Sequence, residues 1–187
     1  MLSTQCESGS GSNITLKRLC PTRWSSRYDC LVALRYRFVD VLKVLTKIIL
    51  ISKKTDEVAN ALAIKKKVEW FDFVFILAMM TKILATHGTS QLLQSPQCDL
   101  SKANELIKSS LETFQSMRNE YDSIRDTAVC LAKSWGIKDN FEDRRLKKTK
   151  RLIKCITNDE SPASTEKLFR VNVFLATVDK TCGQITP

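Results

Sequence analysis

"VEWFDFVFILAMMTKILA", residues 68–85, decides how this chain folds. Its β-branched and aromatic residues would suit a strand. Its length, and the Ala-Met-Met-Thr-Lys sequence near its end, favour a helix, and a helix apolar nearly all round belongs at the buried centre of a domain. Asp72 lies inside the run and lysines bound it, so it falls short of the roughly 18 uninterrupted apolar residues that a membrane span needs.

Upstream of this run, Tyr28, Leu31, Val32, Leu34, Val39, Leu42, Leu45, Ile48 and Ile49 recur at spacings of three and four. That is one face of a helix running from Ser25 to about Ile51, with Arg35, Arg37, Lys43 and Lys47 between the apolar positions. A second helix starts at Thr55 or Asp56, both good N-cap types, and turns Val58, Ala59, Leu62 and Ala63 inward. It ends at Lys65–Lys67, where cations suit the helix dipole, or runs on into the central helix. Downstream, His87 and Gly88 end the central helix, with the imidazole over its last carbonyls, and a short turn of helix and a loop follow. Asp99 or Ser101 then caps a stripe of Leu100, Ala103, Leu106, Ile107, Leu111, Phe114 and Met117. The pattern resumes through Tyr121, Ile124, Ala128, Val129, Leu131 and Ala132 to Trp135, and Gly136 stops it. The fold class is therefore all-α: a bundle of four to five long amphipathic helices joined by short loops.

The flanks differ in composition. Residues 1–13 are polar, rich in Ser and Gly, and expected to be disordered. Ile14–Cys20 reads as a short extended run, because Pro21 keeps the residue before it out of helical space. The helical domain then spans 14–137, a basic linker 138–162, and a C-terminal helix and tail 163–187. In that last segment Val171, Val173 and Leu175 alternate as a strand would, while Leu168, Val171, Leu175 and Val178 follow a helical face; the helical reading is preferred.

Thirty Lys and Arg against twenty Asp and Glu give the 187 residues a net charge of +10. Such an excess favours polyanionic partners such as nucleic acid or an anionic membrane surface without choosing one. The seven cysteines include no CxxC pair and His87 is the only histidine, so no zinc site is expected and most of the thiols read as small buried apolar residues. The opening residues do not read as a signal peptide, and the chain is expected to fold in a reducing compartment. The five glycines form no phosphate-binding loop, and Asp29, Asp40, Asp56 and Asp72 lie on or beside helices facing cations, the usual setting of solvated carboxylates. No catalytic, metal, cofactor or small-molecule site is expected.

Two stretches carry usable chemistry. "RRLKKTKRLIK", residues 144–154, holds Arg144, Arg145, Lys147, Lys148, Lys150, Arg151 and Lys154 with no acid. These cations can each meet a phosphate, which makes affinity salt-dependent, or they form a solvated run or a nuclear-import signal. In "TRWSSR", residues 22–27, Trp24 is a stacking surface for an unpaired base with Arg23 beside it for the adjoining phosphate. Alternatively Trp24 packs as the hydrophobic staple of a helix capped by Ser25 or Ser26.

"LCPTRWSSRYDCLVAL" (19–34), "LLQSPQCDLSKANELIKSSLETFQSMRNEYDSIRDTAVCLAKSWGI" (92–137), the basic block and "SPASTEKLFRVNVF" (161–174) follow one another in an order that resembles the hAT-superfamily transposase domain of the zinc finger MYM-type protein 1-like group of transposon-derived proteins. The likeness covers residues 14–178. It implies that the Arg–Trp motif opens the all-helical insertion of a ribonuclease H-like transposase, that Trp24 with Arg23 corresponds to the motif handling a flipped base at a transposon end, and that Arg144 to Lys154 corresponds to the basic stretch after the insertion. The family's catalytic aspartates and glutamate, and its Cys–His motif, have no counterpart in this sequence, so two-metal chemistry is not expected. The resemblance thus implies a transposase-derived helical fragment, nuclear and inactive as an enzyme, with DNA as a partner. A protein-interaction or dimerisation scaffold that binds another subunit is the alternative. Accessibility of Trp24 separates the two.

Overall fold

Every regular element is helical among the residues that the computed structural model describes, 15–16, 20, 24–86, 89, 92–93, 99–142 and 164–185. The helices are α1 (Trp24–Ile51), α2 (Thr55–Val68), α3 (Phe71–Leu84), α4 (Leu100–Met117), α5 (Tyr121–Trp135) and α6, which is α-helical over Thr165–Phe169, π-helical over Arg170–Leu175 and α-helical again over Ala176–Ile185. The all-α expectation holds, and the C-terminal segment is helix rather than strand. The expected disorder of 1–13, most of the extended run 14–20, the His87–Gly88 stop and residues 143–163 lie outside the described residues.

The central helix starts later than its apolar run. Val68 closes α2, Trp70 is extended (φ −85°, ψ 143°), and α3 begins at Phe71. From there Phe71, Val74, Phe75, Leu77, Ala78, Met79, Ile83 and Leu84 are all buried, as a helix surrounded by others requires. Phe75 lies within 5.2–6.2 Å of four aromatic rings: Phe169 at 5.2 Å, Tyr121 at 5.3 Å, Phe141 at 6.1 Å and Phe174 at 6.2 Å. Aromatic pairs at such separations contribute beyond the area they bury. The expected linker thus begins with a core contact, since Phe141 also sits 4.9 Å from Phe71 and 4.6 Å from Phe169.

α5 buries Tyr121, Ile124, Ala128, Leu131 and Ala132 against α3, close to the expected stripe. Its end is a Schellman motif: Gly136 is left-handed (φ 69°), the Ile137 N–H donates to the Ala132 carbonyl at 2.8 Å and the Gly136 N–H to Lys133 at 3.3 Å. Asp99 caps α4 as expected, accepting from the Lys102 N–H at 2.7 Å. Only Phe114 and Met117 of the α4 stripe are buried, however, while Leu100 and Ile107 are exposed. α4 packs against the C-terminal half of α6, and its first turns extend past the core.

α6 corrects the expected face. Leu168 and Val171 are exposed, whereas Phe169, Phe174 and Val178 are buried. The π turn accommodates the five-residue spacing between the two phenylalanines and carries both to the core side. A similar device acts in α1, where Arg37 leaves helical geometry (φ −107°, ψ 17°) and Ala33 and Phe38, five apart, are both buried. Val39 and Ile48, expected inside, are exposed. α1 has 28 residues against 14 in α3, so at about 1.5 Å per residue it overruns the helix it packs on.

In α2 the expected inward set is also displaced. Ala61 is buried, with Val58, Lys65 and Val68 half-buried on the same side, while Leu62 is exposed. Its N-cap is Lys54, and Thr55 and Asp56 lie inside the first turn. Ser52 closes the preceding turn: its hydroxyl donates to Glu57 at 2.8 Å and accepts from the Lys54 N–H at 3.2 Å. The α1–α2 hairpin meets the core where Phe38 stacks on Trp135 at 4.1 Å and 13° and lies 6.4 Å from Phe73.

Phe75→Ala should lower the unfolding free energy by about 3–5 kcal/mol in a denaturant titration, whereas Leu50→Ala, at a position 77% exposed, should change it by no more than about 0.5 kcal/mol. Equal effects would displace the centre of the core from Phe75.

Candidate nucleic-acid interface

Of the residues expected to hold nucleic acid, Arg23, Arg144, Arg145, Lys147, Lys148, Lys150 and Arg151 lie outside the described residues, as does Lys154. Trp24 is the first residue of α1, its side chain likewise outside them. Ser25 and Ser26 therefore stand inside the first turn rather than capping it. The Ser26 hydroxyl accepts from the Cys20 N–H at 3.0 Å, a bond that joins the chain on either side of "PTRW" and fixes where the helix begins relative to the preceding residues.

Periodicity did not single out the cations of the hairpin, but their number in the sequence could have. Residues 24–68 hold ten Lys and Arg against four Asp and Glu, whereas residues 69–143 hold seven against eleven. Asp40 meets two of the ten, Arg37 at 3.4 Å and Lys43 at 3.7 Å; Lys54 meets Glu57 at 3.0 Å and Lys65 meets Glu69 at 3.9 Å. Among the described residues, Lys47, Lys53, Lys66 and Lys67 have no carboxylate within 4.0 Å and are solvent-exposed. Lys65–Lys67 also follow the α2 axis to its C-terminal end, where the helix dipole tolerates the crowding of like charge.

No protein-family model, curated protein or solved structure matches the chain.

Among the described residues no three His, Cys, Asp or Glu converge as a metal site, and no helix is long and apolar enough to cross a membrane. The thiols depart from expectation: Cys20, Cys30 and Cys182 are half-buried and Cys130 is exposed, because it lies on the side of α5 away from α3. Cys6, Cys98 and Cys155 lie outside the described residues.

Among the described residues, a group of polar side chains holds α5 to α6. Glu166 accepts from Arg125 Nε at 2.7 Å and faces the Tyr121 hydroxyl at 3.4 Å, while the Arg170 guanidinium lies 4.9 Å above the Tyr121 ring. Burial of the phenol, reinforced by the Glu166 carboxylate, pushes its pKa up from 10.0 to about 12. The neutral phenol is thus favoured by folding, so the stability it adds is fully present below pH 10 and is lost as the pH rises through about 12. An alkaline titration followed by ultraviolet absorbance should show a tyrosine phase near pH 12 that Tyr121→Phe removes. The same substitution should flatten the fall in stability between pH 10 and 12; an unchanged late phase would place the clamp elsewhere.

Proposed function

We propose that the protein is a transposase-derived helical module of the hAT type that holds nucleic acid by its phosphates and has no catalytic chemistry of its own. The observation that carries the reading is where the charge lies. The net +10 comes chiefly from two places, the α1–α2 hairpin with ten cations against four acids and residues 144–154 with seven against none, while residues 69–143 hold seven against eleven. A chain charged for solubility alone would spread its cations, whereas a phosphate-binding chain concentrates them.

On this reading, Lys47, Lys53, Lys66 and Lys67 join Arg144, Arg145, Lys147, Lys148, Lys150 and Arg151 as phosphate contacts. Contacts of this kind fix position and carry no base information, so duplex affinity is independent of sequence. Arg23 and Trp24, at the start of α1, take an unpaired or flipped base, with the ring stacking and the guanidinium meeting the neighbouring phosphate. A nuclear location accords with such a partner.

Replacing Arg144, Arg145, Lys147 and Lys148 with Gln should weaken duplex DNA binding and make log affinity less steep in log salt by roughly three to four units, about 0.9 for each lost contact. An unchanged slope would make the block a solvated run. Trp24→Ala should cost about 1–3 kcal/mol in binding single-stranded DNA and leave duplex affinity nearly unchanged. A lowered melting temperature with both affinities unaltered would make Trp24 a structural anchor and defeat the role given to the Arg–Trp motif.

A further inference from the structure

The hairpin that carries the positive charge also carries an apolar surface that phosphates cannot use. Val39, Leu42, Leu50 and Ile51 of α1 line an open groove of about 430 Å³. Leu50 is 77% and Ile51 65% exposed, although both are large aliphatic side chains on a regular helix. Lys43 and Lys47 from α1 and Lys65 from α2 stand around this groove, with Glu69 beside Lys65. The carboxylate partners of Lys43 and Lys65 are 3.7 and 3.9 Å away at the solvated surface, where such pairs contribute little, so these ammonium groups can exchange partners at small cost.

The chemistry of the rim and floor chooses among occupants. A nucleic acid would satisfy the lysines but leave the aliphatic floor uncovered. A second copy would bring the same excess of ten cations over four acids against itself, and like charges brought together at an interface oppose association. A bilayer surface takes a face that is apolar along its length, whereas Lys43, Thr46 and Lys47 interrupt this one between Leu42 and Leu50. A helix laid in the groove with apolar side chains inward and carboxylates on its flanks satisfies both floor and rim.

We propose that the α1–α2 groove is a docking site for an acidic amphipathic helix of another protein, its apolar side chains at i, i+3 or i+4, and i+7 resting on Val39, Leu42, Leu50 and Ile51 and its flanking carboxylates meeting Lys43, Lys47 and Lys65. The site is separate from the phosphate contacts in its floor and shares Lys47 with them at its rim. Nucleic acid and an acidic helix therefore weaken one another's binding at the hairpin without being mutually exclusive over the whole chain.

The test uses the full chain and a fluorescein-labelled helical peptide with Leu at i, i+3 and i+7 and Glu on both flanks, read by fluorescence anisotropy. Saturable binding is expected, lowered about tenfold or more by Leu50→Ser with Ile51→Ser, and lowered also by Lys43→Gln with Lys47→Gln. A peptide with Lys in place of Glu should not bind, and Leu100→Ser, at another strongly exposed leucine on α4, should change nothing. Because Leu50 and Ile51 are solvent-exposed, the double variant should retain the helical circular dichroism of the parent. The proposal is overturned by a folded chain that does not bind the Glu peptide, by equal binding of the Lys peptide, or by affinity that ignores the groove substitutions. It is overturned also if sedimentation shows that Leu50→Ser with Ile51→Ser turns a dimer into a monomer, or if that variant loses duplex DNA affinity, since either result names a different occupant. Loss of DNA binding on changing the basic block alone leaves this inference intact, so the two readings fail separately.

Discussion

The ring of Phe75 is where this fold closes. Tyr121 from α5, Phe141 from the segment after it, and Phe169 and Phe174 from α6 all approach one side chain near the start of the central helix. These partners lie between 46 and 99 positions further along the sequence, so the contact joins segments that local helix propensity would leave apart. The helices around α3 are amphipathic, α3 is apolar on most of its sides, and none can bury its apolar surface alone. Packing on a shared aromatic centre converts separate helices into one domain and gives α6, remote in sequence, a fixed place. The Glu166–Arg125–Tyr121 group then adds a polar contact at the edge of the same junction, with Arg170 above the ring.

How much of this could be read from residues alone depends on whether period sufficed. The α5 stripe, the Asp99 cap and the Gly136 stop follow from composition and from spacings of three and four and are found close to where those rules put them, while the central helix begins at Phe71, after the break at Trp70. The misassigned faces share a cause. Ala33 with Phe38, and Phe169 with Phe174, are five apart, and an ordinary α-helix would rotate the second member of each pair away from the first. A departure at Arg37 and a π turn at Arg170–Leu175 restore the alignment. Neither leaves a mark in a hydrophobic pattern, because the distortion is fixed by the core that the helix joins. The outward turn of Leu62 has another origin: α2 is rich in Ala and β-branched residues on several sides, and which side faces α1 is settled by the partner helix.

The candidate interface was legible in kind more than in place. Charge is conserved through folding, so an excess of cations in residues 24–68 remains an excess on the hairpin whatever its rotation. The period reading treated Lys43 and Lys47 as spacers between apolar positions and Lys65–Lys67 as the end of a helix, and so it pointed to residues 144–154 and the Arg–Trp pair while passing over Lys47, Lys66 and Lys67 as phosphate contacts. The same preference for stripes concealed the opposite fact, that Leu50 and Ile51 continue an apolar helix face beyond the end of what can cover it. An apolar residue at the right spacing is buried only if a neighbour reaches that far, and α3, half the length of α1, does not.

That mismatch of length also bears on how the hairpin and the core communicate. The hairpin contributes no member to the main cluster of buried side chains; it is joined to the core by the packing of α1 on α3 and by Phe38, stacked on Trp135 at the end of α5 and near Phe73 of α3. With no residue in that cluster and Val39, Val44, Ile48, Leu50 and Ile51 exposed, the hairpin can open locally at a lower free energy than the core. Anything that binds only the closed hairpin, whether along its lysines or in its groove, adds RT ln(1 + [L]/Kd) to that local equilibrium. The core, already closed by Phe75, gains only what passes through the α1–α3 contact and the Phe38–Trp135 stack. Ligand protection against hydrogen exchange should therefore be concentrated in α1 beyond Phe38 and in α2, and it should fade across the stacked pair into α5.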